Sequence, residues 1–388
     1  MKRTILAAAL LASAAMHANA ESAQNNAEIL TKIPDAQVLQ NSDKAFLIDA
    51  KTLLAVLQDP DPALNNPDKV AWELFVEANK PSSSAGKVVF ETWPSNDTTF
   101  DKNATCPTTP INPNLVVAAA TELKLRQPAL LTLAPRRPGL VPHVVAGGGE
   151  EVRRNPAAHN FIVCSKLNTK AGLKAAFAAG KPISFPMDSI EVKGFWIPVD
   201  NNINATNAHV GTAGGQQFAL VALHVISKQV PNWTWATFEH EKNPGRCDYQ
   251  GCFDKFGATK HAELPKSPAN GQYPACTKTT ALKKLFTDAK LEAVYEHYCL
   301  KGSQTDFTTS TGIPTLVGNS RIEDGFIQPS SCMTCHARAA FDKNGAFLSM
   351  GMNQGPVNPS WFYTNPGTPQ QKTVFLQGDF VWALRNAK

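Results

Sequence analysis

The chain has 388 residues, 43% of them hydrophobic and 18% charged, with a formal net charge of +5. That length allows one large domain or two ordinary ones, and the hydrophobic share is enough for a substantial core. There is no basic run and no stripe of Lys or Arg interleaved with aromatic residues, which argues against a nucleic-acid partner.

The chain opens with Lys2 and Arg3, an uncharged apolar run from Ile5 to Met16, and the small-x-small sequence Ala18-Asn19-Ala20. This pattern predicts a cleaved secretory signal peptide over residues 1–20, with the exported chain spanning 21–388. The apolar run is shorter than the ~20 residues that span a bilayer, and no later stretch is long and apolar enough, so stable membrane insertion is not expected. Ser42 to Gln58 reads as a capped helix with an apolar stripe, stopped by Asp59-Pro60-Asp61-Pro62. Asp68 to Lys80 reads as a second helix, and Lys87 to Trp93, rich in β-branched and aromatic residues, as a strand.

A Pro-rich stretch from Pro107 to Pro142 contains one predicted helix near Leu115 to Leu125. Gly147-Gly148-Gly149-Glu150-Glu151 lacks the Lys-Ser/Thr of a phosphate loop and reads as a flexible connection. Thr169 to Ala179 is predicted helical with Gly180 as its C-cap. The middle of the chain is strand-rich: Ser189 to Val199, Gln217 to Lys228 and Asn232 to Glu241, the last two forming a hairpin. A helix from Thr280 to Leu300, a short strand from Thr373 to Leu376 and a helical turn around Val381 to Arg385 complete the pattern. Mixed helices with mostly consecutive strands predict an α+β fold: a mainly antiparallel sheet core, surrounding helices and a C-terminal haem-binding segment over about 325–355.

That segment is identified by Cys332-Met333-Thr334-Cys335-His336, the C-x-x-C-H sequence of c-type haem attachment. Each thiol adds across one haem vinyl group, and the two intervening residues set the sulfurs at the separation of the vinyls. The adjacent His336 then supplies the proximal iron ligand. The expected cofactor is one covalent haem c, held by Cys332, Cys335 and His336. A bare C-x-x-C could be a redox pair or half a zinc site, but the trailing His argues against both, and a redox pair usually sits early in a βαβ unit. The other six cysteines, Cys106, Cys164, Cys247, Cys252, Cys276 and Cys299, predict up to three disulfides in an oxidising compartment, with their pairing left open. A zinc site built on Cys247 and Cys252 is the weaker alternative, because their spacing is wide and no matching pair follows.

Further segments extend the pattern beyond this motif. Val70-Ala71-Trp72-Glu73-Leu74-Phe75, Phe90-Glu91-Thr92-Trp93, Glu191 through Trp196, Leu223-His224-Val225 and Asn232 through His240, together with the motif, resemble a poorly characterised family of exported bacterial monohaem cytochrome c proteins. The resemblance covers most of the exported chain and implies haem binding and electron transfer, with no substrate assigned. The six additional cysteines fall outside its pattern. Residues 21–388 are accordingly expected to form one cytochrome c-like domain.

The sixth iron ligand decides between carrier and enzyme. Within the predicted hairpin, His224 shares strand parity with Phe218, Leu220, Ala222 and Ile226. A loop at 228–231 would place it opposite Trp235 and near Trp233. His240, at the end of the second strand, is the first choice as metal ligand beside His336, with Glu239 beside it read as an exposed strand-end carboxylate. His224, Met350 and Met352 are the alternatives, as is an open position. Trp196, Trp233 and Trp235 are candidates to wall the pocket. The expected function is one-electron transfer in the periplasm between redox partner proteins. The runner-up is a haem enzyme, peroxidase-like or a small-molecule oxidoreductase, with an open sixth site.

Overall fold

Strands and helices alternate in blocks along the chain; the six longer strands assemble into one antiparallel sheet, and four two-residue strands pair outside it as two small ribbons. The computed structural model describes residues 62–84, 86–107, 123, 125–126, 147–260, 263–265, 271–351 and 353–388. The predicted signal peptide, the helix over 42–58 and most of the helix near 115–125 lie outside them. The strands of the main sheet are β1 (Gly149–Arg154), β2 (Ile190–Pro198), β3 (Val210–Ala213), β4 (Gln216–Ser227), β5 (Thr234–His240) and β6 (Tyr298–Gln304), in the order β1-β2-β4-β5-β6 with β3 paired to β4. Five helices matter for the site: α1 (Pro67–Asn79), α2 (Pro156–Cys164), α3 (Lys170–Ala179), α4 (Thr280–Asp288) and α5 (Cys332–Ala337). The α+β class is as expected. Among the described residues no helix is long and apolar enough to cross a membrane.

One face of the sheet is covered by α1 and α4. Trp72 and Phe75 of α1 meet Phe238 of β5 at ring-centroid distances of 4.9 and 4.5 Å, and Phe286 of α4 closes on Trp72 at 5.7 Å. The opposite face carries Ile226 and Trp235, which pack with Met333 of α5, Phe341 and Leu384. Residues of one strand therefore divide between a helix-covered core and the layer that holds the motif helix.

β4 does not alternate evenly. Phe195 of β2 pairs with Ala222 but Trp196 pairs with Leu220, so Val221 is an extra residue, a β-bulge. The bulge swaps the faces on either side of it: Leu220 and Leu223 both enter the α1-side core. His224 thus shares its face with Ile226, whereas Phe218 and Leu220 lie on the other side, which corrects the parity expected from simple alternation. The hairpin register also differs from expectation. His224 stands opposite Thr237 and Ile226 opposite Trp235. The connection runs to Trp233, whose φ of 62° belongs to a turn and not to a strand.

Three other expectations are corrected. Residues 87–93 form a 3-10 turn over Val89–Thr92, because the Glu91 carboxylate folds back on the Val88 N–H at 3.0 Å. The helix expected to run to Leu300 ends at Asp288; Lys290 takes a φ of 55°, and the chain re-enters the sheet as β6. The glycine-rich loop leads directly into β1. The helix over residues 169–179 is as read, with Thr169 accepting from the Gly172 N–H and Gly180 at φ 61° closing it.

All six cysteines outside the motif are paired, as Cys106–Cys164, Cys247–Cys252 and Cys276–Cys299. The Cys247–Cys252 bond removes the zinc alternative for that pair, since a disulfide sulfur has no thiolate to offer a metal. Cys332 and Cys335 are the two free thiols.

Candidate functional site

The i, i+3, i+4 spacing of Cys332, Cys335 and His336 places both thiols and the imidazole on one face of α5. That face looks into a cleft whose empty space is about 1050 Å³, solvent at its mouth included. Met333, Thr334 and Ala337 are buried on the other side and seat the helix in the protein. The sheet wall of the cleft includes Lys193 of β2, His224 and Ile226 of β4 and Trp235 of β5; Glu323 and Phe326 face them from the segment preceding α5.

The motif helix is held by a directional chain of hydrogen bonds. The Gln304 amide at the end of β6 donates to Ser331 Oγ at 3.0 Å, and Ser331 Oγ donates to Thr334 Oγ1 at 3.1 Å. Thr334 Oγ1 donates to the Gly355 carbonyl at 2.8 Å. The Gln304 side-chain oxygen accepts the Met333 N–H at 3.1 Å, satisfying a donor of the first helical turn that has no partner within the helix. Cys332 Sγ lies 3.2 Å from the Val317 carbonyl, and Trp382 Nε1 donates to the Cys335 carbonyl at 3.1 Å.

His336 is oriented from the C-terminal segment. Its Nδ1 lies 2.8 Å from the Phe380 carbonyl oxygen. A carbonyl only accepts, so Nδ1 carries the proton and Nε2 is left with a free lone pair. Asp379 and Phe380 both have left-handed backbones, with φ of 50° and 67°. Such strain persists where surrounding contacts fix it. Here the Asp379 carboxylate accepts the Phe185 N–H at 2.7 Å and Lys228 Nζ at 2.5 Å. The β4–β5 connection thereby fixes the carbonyl that fixes the imidazole. Trp235 packs against the ring at a centroid distance of 4.5 Å. Burial pushes His336 down to about 4, so the ring is neutral at ordinary pH. Burial also raises Cys335 to about 11 and Cys332 well above the usual thiol range.

The charged groups on the walls are largely paired. Lys193 meets Glu150 at 3.0 Å, and Arg154 meets Glu191 at 2.8 Å. Burial acts to discharge Lys193, but Glu150 and Glu323 more than offset it and hold the ammonium above its usual value. Burial likewise acts to protonate Glu323, and His224 with Lys193 reverses that, leaving the carboxyl below its usual range.

Of the residues expected at the site, the structure brings together Cys332, Cys335, His336, His224, Met350 and Trp235. Met352 lies outside the described residues. His240 is not at the cleft. It is fully buried near the far end of β5, where Nε2 donates to the Asn207 carbonyl at 2.9 Å and Nδ1 accepts the Lys242 N–H at 3.2 Å. With both nitrogens engaged it has no lone pair for an iron. Trp196 belongs to the α1-side core, and Trp233, within the hairpin turn, packs on Phe185. Glu323, Gln304 and Phe380 were not signalled by the sequence; each acts through a tertiary contact with no local pattern.

The neutral environment of His240 has a measurable consequence. Burial lowers both His240 and His159 from 6.5 to about 4. The unfolded chain therefore binds protons that the native state refuses as pH falls below about 6.5. Stability is full above that pH, is lost between about 6.5 and 4, and falls no further from these groups below 4. The urea midpoint is expected to be lower at pH 5 than at pH 7.5, with the difference reduced in His240→Gln. An equal midpoint at both pH values, or a variant with undiminished dependence, would contradict this account.

Comparison with family models, curated proteins and solved structures finds no match. Among the described residues no group of three or more His, Cys, Asp and Glu side chains is arranged to hold a bare metal ion.

Proposed function

We propose that this chain is a periplasmic c-type cytochrome that carries one covalent haem and passes single electrons between redox partner proteins. It would thus be one of the exported bacterial monohaem cytochromes its segments resemble. The observation that carries the reading is the placement of Cys332, Cys335 and the Nε2 lone pair of His336 on one helix face lining one cleft. These residues fit the group. Haem would supply an iron that cycles between ferric and ferrous forms. The two cysteines would hold it through thioethers: each S–H adds across a vinyl double bond, sulfur to one carbon and hydrogen to the other, with no leaving group. The Phe380 carbonyl backs His336 as outer partners back metal-bound imidazoles, by fixing the tautomer and raising the basicity of the other nitrogen. Trp235, Ile226 and Phe326 offer apolar surface that would limit water at the bound group.

The three disulfides support an oxidising compartment. With the signal-like N-terminus they support export to the periplasm, where covalent attachment keeps the group from being lost. The test is the mass and colour of the exported protein. The mass should exceed that of the processed polypeptide by one haem, and the colour should stay with the protein in acidic acetone. A pigment that extracts freely, or a mass equal to the bare polypeptide, overturns the reading.

A further inference from the structure

The cleft contains a second imidazole that the motif does not explain. His224 Nε2 lies 3.0 Å from Oε1 of Glu323, while Nδ1 is buried and finds no hydrogen-bond partner among the described residues. A carboxylate accepts, so Nε2 holds a proton, and in the neutral ring Nδ1 presents a lone pair. His336 is in the same condition with its nitrogens exchanged, one pinned by the Phe380 oxygen and the other free. A buried acceptor without a donor is costly, and this one belongs to a ring that lines the same cleft as the motif.

Glu323 is itself fixed. Its Oε2 accepts the Asn319 N–H at 2.6 Å, and the Asn319 side chain donates to Thr237 Oγ1 at 2.8 Å. Thr237 is the residue paired across the sheet from His224. The carboxylate behind the imidazole is therefore anchored to the strand next to it. Met350 also lines the cleft, but its sulfur is met by Arg385 Nη1 at 3.7 Å on the exposed side.

We propose that His224 is the second axial ligand of the haem iron, bound through Nδ1, and that Glu323 is the positioning residue that fixes its tautomer. The proposal rests on the haem reading of the cleft. Two imidazoles on one iron give a low-spin centre in both oxidation states, with no vacant position for small molecules. A carboxylate behind the second ring makes it a stronger donor, which stabilises the ferric form and lowers the potential.

The test uses the full exported holoprotein, with covalent haem verified by mass before any ligand measurement. If no haem is attached, the haem reading fails and this assignment with it. If haem is attached, the remaining outcomes judge His224 alone. The unmodified ferric protein should be low-spin by electron paramagnetic resonance, and the reduced protein should bind carbon monoxide slowly. His224→Gly should become high-spin and bind carbon monoxide on mixing, and added imidazole should restore the low-spin signal. Glu323→Gln should remain low-spin with a raised reduction potential. If His224→Gly does not accumulate, His224→Met should give the methionine-to-iron charge-transfer band. A high-spin unmodified protein, an unchanged spectrum in either His224 variant, or a charge-transfer band in the unmodified protein that disappears in Met350→Leu would overturn the assignment.

Discussion

Replacing Cys332 and Cys335 together with alanine is expected to abolish covalent haem completely, while either single replacement leaves one thioether and a haem that still survives denaturation. The other cysteines cannot compensate, because each is committed to a disulfide. Nor can a neighbouring residue take over the position. The face that looks into the cleft is set by the i, i+3, i+4 spacing, and Met333 and Thr334 point into the protein on the other side. The helix itself should persist in the double variant. Its hydrogen bonds run through Ser331, Thr334, Gln304 and Trp382 and use no cysteine sulfur apart from the Cys332 contact to Val317. Loss of haem would then be loss of attachment and not of fold. Haem staining after denaturing electrophoresis reads the first, and near-ultraviolet circular dichroism reads the second. Haem-stained double variant would mean that the thiols are not the attachment points.

The motif was legible because its chemistry is local: three side chains within five residues state both the spacing and the face. The three central strands β2, β4 and β5, and the hairpin of the last two, were legible from composition, and of the parity partners expected for His224 only Ile226 shares its wall of the cleft. The finer placement was not. Pairing in the hairpin is displaced by two residues because Trp233 belongs to the turn, a backbone state that a tryptophan does not advertise. The bulge at Val221 swaps faces within a run of apolar residues, where every register looks equally hydrophobic. β6 was hidden because its buried side chains include Lys301 and Gln304, residues that read as exposed until their partners are known. His240 was chosen for its place at a strand end beside aromatic residues. What excludes it is two backbone contacts, to Asn207 and Lys242, that no pattern in the chain announces. The Phe380 carbonyl, which orients His336, depends on two left-handed non-glycine residues and is equally silent in sequence.

Glu239 illustrates the same limit, and its replacement should have the largest effect on stability of any single change near the site. Read as an exposed carboxylate, it is fully buried. Its Oε1 accepts the Ser320 N–H at 2.7 Å, and its Oε2 accepts from the Asn243 amide at 3.2 Å and from the Ser320 hydroxyl. Lys301, also buried, lies 3.8 Å away, with burial acting to discharge it and Glu239 acting against that. Glu239→Ala would remove the counter-charge of a buried ammonium and leave the Ser320 donors unpaired. Breaking a buried pair from one side costs about 3–5 kcal/mol. Glu239→Gln should cost less, because its amide oxygen can still accept from Ser320. The effect should also reach the cleft. Ser320 belongs to the segment that carries Asn319 and Glu323, so loosening it would release the carboxylate behind His224. Urea unfolding at neutral pH measures the first consequence. The reduction potential of the haem-loaded Glu239→Gln protein, expected to rise in the same direction as in Glu323→Gln, measures the second. A loss under about 1 kcal/mol in Glu239→Ala would show that Glu323 and Asp248, which also favour the charged form of Lys301, hold the ammonium without this carboxylate.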